Sequence, residues 1–471
     1  MIRVIARVLI FGIGIFGFTA TTKSEPWINT TDLQLRSDIE TLSDIGVIKV
    51  PITTYPLMWS GIVKNIDEAD IQNIPSEYKA IFWRVKKRAK ASLSNQNSRV
   101  LKTSFASGEQ VFRAFGDSSR GQAELNASAA SMNKYFAWNL QVNRLREPFD
   151  NDTYHYDGSY IAGVAGNWIV SFGSVEKWWG ASWDSANLIS NNARAPFGIT
   201  LNRNYSDAIE LPVLNWLGQW SFSGFVSQLE ETSAFKEHYF SGASFSFKPV
   251  DSLELSARAT SISGGTALQY SGEIEDKQIS AFDFRWRLPK LLTSNLPTNL
   301  YLSVTDEGQQ GSFSTSQFGV STQLIVFNRN WRIYAESSKT FASGSSFNVT
   351  YEDDVFANGY RFNNRVIGST YDNDSKATTL GLMGQLSRTQ SISVKVQSLE
   401  INKDSTQDTS DFRNTIRQSP TKAKRFTAKW QWQAAKAHRF DIEFEYSDKV
   451  IDQFDRQQEK YRLAASWNYY L

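Results

Sequence analysis

From Phe426 to the C-terminus the chain alternates between apolar and polar residues on three successive stretches, a pattern that few folds accept. Phe426, Ala428, Trp430 and Trp432 interleave with Thr427, Lys429, Gln431 and Gln433. His438, Phe440, Ile442, Phe444 and Tyr446 interleave with Arg439, Asp441, Glu443 and Glu445; Tyr461, Leu463, Ala465, Trp467, Tyr469 and Leu471 then follow the same rule. Side chains on a strand point to opposite faces with period two, so one face meets an apolar medium and the other a polar one. A soluble sandwich and a membrane barrel both satisfy this, and what the apolar face touches decides between them.

The interruptions make that decision. Counting back from the C-terminus, gaps between strands run long at 447–458, short at 434–437, long at 401–423, short at 386–389, long at 341–375 and short at 327–330. The rhythm continues through 262–278, 249–251, 174–196, 165–166 and 144–158, with 205–217 too long for its place. Outer-membrane barrels have short periplasmic turns, long outer loops and an even strand number, whereas a sandwich has no reason to alternate this way. With a weaker pair near 109–115 and 122–130, the tally is about 18 strands. No short repeat recurs at fixed period, which argues against a propeller or solenoid. The expected fold is all-β: one transmembrane antiparallel barrel over residues 100–471, with an α-helical unit over 25–95 on its periplasmic side.

That unit reads as two helices. Thr31 or Asp32 can cap one in which Leu35, Ile39, Leu42 and Ile45 recur before Gly46, and a second is expected from Pro75 to Leu93. Ahead of it, Arg3 and Arg7 precede an apolar run from Val8 to Phe18 and then Thr19 and Ala20, the order of a secretory signal peptide over residues 1–24. The 471 residues contain no Cys, so a chain crossing an oxidising space forms no stray disulfides. A net charge of +2 gives no reason to expect nucleic acid as a partner. Aromatics reach 14%, with 15 Trp, yet mean hydropathy is only −0.39, which suits an apolar outer band with aromatic girdles around a wet interior.

If Phe282, Phe284 and Trp286 face lipid, then Asp283, Arg285 and Arg287 face the lumen, because an Arg on the lipid face at mid-depth costs about 2–4 kcal/mol. The same parity sends Glu254, Arg258, Arg332, Glu336, Arg439, Asp441, Glu443 and Glu445 inwards. Long side chains of both signs cross-link, so a largely occluded lumen is expected. No catalytic, Walker or cofactor signature is present, and His155, His238 and His438 are too far apart in sequence to suggest a metal cluster. Asp150, Asp152, His155 and Asp157 read as a solvated acidic loop rather than an acid-base set. The better lead is the loop aromatics: Trp178, Trp179 and Trp183, and Tyr351, Phe356, Tyr360, Phe362 and Tyr371. Sugar rings stack on aromatic planes while hydroxyls need Asn, Asp or Arg partners, although girdle or loop-packing roles account for such rings as well.

Glu176 to Arg203, EKWWGASWDSANLISNNARAPFGITLNR, resembles the signature of the Wzi family of outer-membrane capsule-assembly proteins. So do the stretch from Pro26 to Trp59, with its Thr53-Thr54 pair bracketed by prolines, and Trp216 to Leu229, WLGQWSFSGFVSQL. Ala195 stands where that family has a proline. The resemblance covers the N-terminal unit and the first third of the barrel. It implies an 18-stranded barrel plugged from the periplasm by helices, a lectin that attaches capsular or related exopolysaccharide to the cell surface through its extracellular loops, with polysaccharide export proteins as further partners. The candidate carbohydrate contacts are Trp178, Trp179, Trp183, Asn191, Asn192, Arg194, Tyr351 and Tyr360. Two alternatives stay open: the signature block grips glycan, or it folds inwards and closes the bore. The rival function is a channel for small solutes or polysaccharide export.

Overall fold

The computed structural model describes residues 24–94, 97–117, 119–146, 152–230, 235–267, 276–293, 296–308, 313–341, 348–353, 356, 358–403, 414–417, 419–452 and 459–471. The signal peptide expected over 1–24 therefore lies, except for Ser24, outside the described residues, as does Asp150. Eighteen antiparallel strands close into one barrel. The first nine are β1 (Ser98–Ala106), β2 (Ala123–Met132), β3 (Phe136–Arg146), β4 (Tyr154–His155 continued by Tyr160–Ala165), β5 (Trp168–Gly173), β6 (Gly198–Arg203), β7 (Gln219–Gln228), β8 (Phe235–Val250) and β9 (Leu253–Ala267). The rest are β10 (Lys277–Arg287), β11 (Thr298–Asp306), β12 (Thr315–Val326), β13 (Arg329–Lys339), β14 (Lys376–Gln385), β15 (Gln390–Ile401), β16 (Thr421–Ala435), β17 (His438–Ser447) and β18 (Tyr461–Tyr470). Each strand pairs with the next, and β18 returns to β1, Ala464 opposite Ala106 and Tyr470 opposite Val100.

Parity along each strand separates the two media. On β3, Phe136, Trp138, Leu140 and Val142 are exposed on the outer wall while Ala137, Asn139, Asn143 and Leu145 are buried towards the lumen. Exposed apolar rings and aliphatics recur around the barrel, among them Phe172, Val226, Phe282, Phe318, Leu380, Val396 and Phe444. An apolar belt this continuous is stable only against hydrocarbon. Its short-turn rim carries an aromatic girdle in which Trp467 and Tyr469 both stack on the His438 ring, at 5.8 Å and 5.1 Å.

Two expectations need correction. Residues 109–115 form no strand; Ser98–Ala106 is the first strand instead, so the even count survives. Val111 and Phe112 are consecutive and both buried, as are Ala114 and Phe115, and a strand cannot send neighbours to one side. The second helix begins as a 3-10 turn at Ser76–Tyr78, and a third helix precedes it. The helices are α1 (Leu33–Asp44), α2 (Trp59–Glu68) and α3 (Lys79–Ser92), with Asp32 accepting from the Leu35 N–H at 2.9 Å as the N-cap of α1. Gly61 inside α2 weakens its helical signal in sequence, while Trp59, Ile62 and Ile66 bury its inner face. The overlong 204–218 turn brackets this helix: Lys64 of α2 meets Asp207 at 2.5 Å, and Arg203 donates to the Asp207 carbonyl at 3.0 Å.

Candidate functional site

The lumen is filled from one end by α1 and from the other by inward-folded loops. Helix α1 buries a polar face, Arg36, Ser37, Glu40, Thr41 and Asp44, which in water-filled surroundings would be the exposed one. Arg285 donates to Asp44 at 2.5 Å and Asn299 does so at 2.7 Å, while Arg332 reaches Ser37 Oγ and Thr41 Oγ1, both at 3.0 Å. The proline-bracketed segment is held likewise. Glu254 accepts from the Ile52 and Thr53 N–H groups, at 3.0 and 2.9 Å, and from Thr53 Oγ1 at 2.7 Å. Arg258 bridges Asp283 and the Thr53–Thr54 hydroxyls. The inward charges that parity assigned on β9, β10 and β13 are thus the residues that grip the plug.

The Trp-Trp block docks on that plug as a strand. Trp178 and Trp179 pair antiparallel with Tyr55 and Thr54, and the Gly180 N–H donates to the Thr53 carbonyl at 3.0 Å. Trp178 packs edge-on against Phe115, Trp179 against Phe225, and Trp183 stacks on Tyr334 at 6.0 Å with the Arg36 guanidinium 4.3 Å from its ring centre. All three indoles are at most 1% exposed. Asn192 Nδ2 donates to the Val366 carbonyl at 3.0 Å, and Asn191 Nδ2 to the Thr30 carbonyl at 3.5 Å. Tyr351 and Tyr360 lie stacked and fully buried, their hydroxyls donating to the Asn187 and Leu188 carbonyls at 2.5 and 3.0 Å. The structure therefore brings the candidate rings and amides together, but around one another. In this geometry the rings of Trp178, Trp179, Trp183, Tyr351 and Tyr360 are each at most 1% exposed, packed against protein. Phe356 and Tyr371 are buried in the same way and Phe362 is half-buried.

Arg194 lies at the outer edge, gripping Asp157 through Nε at 2.8 Å and Nη2 at 3.0 Å, and Asp152 through Nη1 at 2.8 Å. Asp157 also meets His155 at 3.2 Å. This clasp ties the signature block to β4, so the acidic loop has a structural partner. Two residues that sequence reasoning missed close the lock. Asp184 accepts from Lys395, Thr379 and Gln397, each at 2.8 Å, and from Tyr371. Burial alone would raise its carboxyl, yet Lys395 and these donors hold it below the ordinary value. Inward parity on β15 could have flagged Lys395; nothing local marked Asp184. Between plug and wall remains a polar chamber of ≈ 240 Å³ lined by Trp27, Lys102, Arg120, Glu124, Asn143 and Asp441 among others.

Lys177 in the same block gives a pH signature. Its ammonium donates to the Val175 carbonyl at 3.1 Å and lies 4.5 Å from the Phe225 ring centre, but burial pushes it from 10.5 down to about 7. Between those values the unfolded chain holds the proton that the folded one has lost, so stability rises with pH across that window and is lowest below it. Lys177 is expected to contribute up to about 4 kcal/mol to the difference between urea titrations at the two ends of the window, and Lys177→Met to remove that share of the dependence. A variant with the same pH dependence as the wild type would contradict this.

The model for the family described as Capsule assembly protein Wzi matches residues 92–462. The chain belongs to the Wzi family. Among its relatives is an uncharacterized 55.8 kDa protein of the cps region of Klebsiella pneumoniae, 26% identical over 300 residues. That match takes in 59% of this chain and 58% of the relative, so a little over half of the relative's length is spanned. A solved structure of Wzi, an outer-membrane protein involved in group 1 capsule assembly in Escherichia coli and a carbohydrate-binding β-barrel, superposes with a TM-score of 0.82. It is 20% identical, covering 93% of this chain and 98% of that one. This Wzi-family barrel is an outer-membrane protein, its short turns periplasmic and its long loops outside.

Proposed function

We propose that this Wzi-family barrel is a lectin-like protein that attaches capsular or related exopolysaccharide to the cell surface through its extracellular loops, without chemistry of its own. The observation that carries the reading is the filled bore. A channel for solutes or export, the other role a barrel of this size could serve, needs the passage that α1 and the 174–197 loop occupy, and opening it would break the ion pairs at Asp44 and Asp184 and the hydrogen bonds that Glu254 accepts from Ile52 and Thr53. What the barrel then offers the exterior is a surface of loops held rigid from below. Trp178, Trp179, Trp183, Asn191, Asn192, Arg194, Tyr351 and Tyr360 act in this reading as the frame of that surface rather than its contacts, since an ordered site loses less entropy on binding. The carbohydrate binding described for Escherichia coli Wzi supports it. Export proteins of the periplasm or outer membrane belong to the same proposal, reached from the helical unit. Purified protein is expected to bind its own organism's exopolysaccharide, and a deletion strain to shed that polymer into the medium at unchanged total yield. A deletion strain that keeps its surface polymer but loses solute uptake would end the proposal. Planar bilayers should show no large, stable conductance steps.

A further inference from the structure

The outer wall on β13 to β16 changes character in rows, and the strand register fixes each row. Ala335, Leu380, Val396 and Phe426 lie side by side on the lipid face, Leu380 and Val396 more than half exposed. One step towards the loops the row is Ser337, Thr378, Ser398 and Lys424; one step further it is Lys339, Lys376, Glu400 and Lys422. Their chain neighbours Ser338, Ala377, Leu399 and Ala423 are buried, so by alternation these side chains point out of the barrel. Lys403 joins them: its Nζ is 3.3 Å from Glu400, and Lys339 and Lys403 converge on the Phe341 ring at 4.4 and 5.3 Å. Five lysines thus gather against Glu400 and Asp448, whose carboxylate accepts from the Lys424 N–H. Lys422, 3.8 Å from Glu400, keeps a side chain 80% exposed.

This arrangement is a sequence of media: hydrocarbon, then hydroxyls, then cations. We infer that this quadrant binds a phosphorylated glycolipid of the outer leaflet, of the lipid A class, with its acyl chains along Leu380, Val396 and Phe426 and its phosphates on the lysine row. At about 4.8 Å per strand the row spans about 14 Å from β13 to β16, comparable to a disaccharide with a phosphate at each end. A soluble acidic polysaccharide approached from above would meet the loops, whereas these cations face sideways into the headgroup layer. The binding goes beyond the lectin reading and stands or falls without it.

The test is a titration of the full-length protein in nanodiscs with bisphosphorylated lipid A, dephosphorylated lipid A and a soluble anionic polysaccharide. Removing Lys376, Lys422 and Lys424 as glutamines is expected to weaken bisphosphorylated lipid A about a hundredfold at low salt, roughly fivefold for each lysine, and to leave the dephosphorylated form unchanged. If the triple variant does not fold, as judged by heat-modifiability on gels, the exposed Lys422→Gln alone should show the roughly fivefold shift. Equal binding by wild type and variants, equal losses with both lipids, or competition at the site by the polysaccharide instead would each overturn the inference.

Discussion

Replacing Asp44 by alanine is expected to loosen the plug and make a silent barrel conduct. Asp44 accepts from Arg285 at 2.5 Å and Asn299 at 2.7 Å, and its carbonyl accepts from Arg287 at 2.6 Å. The carboxylate is wholly enclosed, so its loss leaves the Arg285 guanidinium, only 6% exposed, without its nearest counter-charge. Breaking one partner of a buried pair costs about 3–5 kcal/mol. Helix α1 is held in the bore largely through such contacts, since Ser37, Glu40 and Thr41 meet Arg332 on the same face. Planar-bilayer recordings of Asp44→Ala should therefore show conductance steps absent from the wild type, and proteolysis should release the N-terminal unit sooner. A variant that remains electrically quiet and protease-resistant would mean that the apolar contacts of Ile39 and Leu42 hold the helix without the ion pairs.

Asp184→Ala is the counterpart at the outer side. One carboxylate serves Lys395, Thr379, Gln397 and Tyr371, so its removal strips a part-buried ammonium of its counter-charge and three polar groups of their shared acceptor. The expected cost is again about 3–5 kcal/mol, concentrated in the 174–197 loop. Limited proteolysis should then cut within that loop, and retention of surface polysaccharide should fall with it if the loop surface is the binding face. A double variant, Asp184→Ala with Lys395→Met, is the control, because removing both charges costs much less than removing one. Recovery of more than half the lost stability is expected; no recovery would move the cause away from the orphaned charge.

Both locks show where the sequence was readable and where it was not. The alternation of Phe426 to Leu471, the gap rhythm and the inward parity of Glu254, Arg258, Asp283, Arg285 and Arg332 are local patterns, and they determined the barrel, its strand number, its orientation and which charges face the bore. They did so because period two is a property of one strand, independent of its neighbours. Residues 109–115 misled because apolar residues of a plug segment mimic a weak strand until the third dimension shows Val111 and Phe112 turned the same way. The loop rings were legible as aromatics but not as buried ones: Trp178 meets Phe115, Trp183 meets Arg36, and Tyr360 meets Thr260, each across a large sequence separation. An exposed sugar platform and a packed plug use the same residue types. Which partners the inward charges and loop rings found, and hence that the bore is closed, was decided only when the tertiary structure brought distant segments into one lumen.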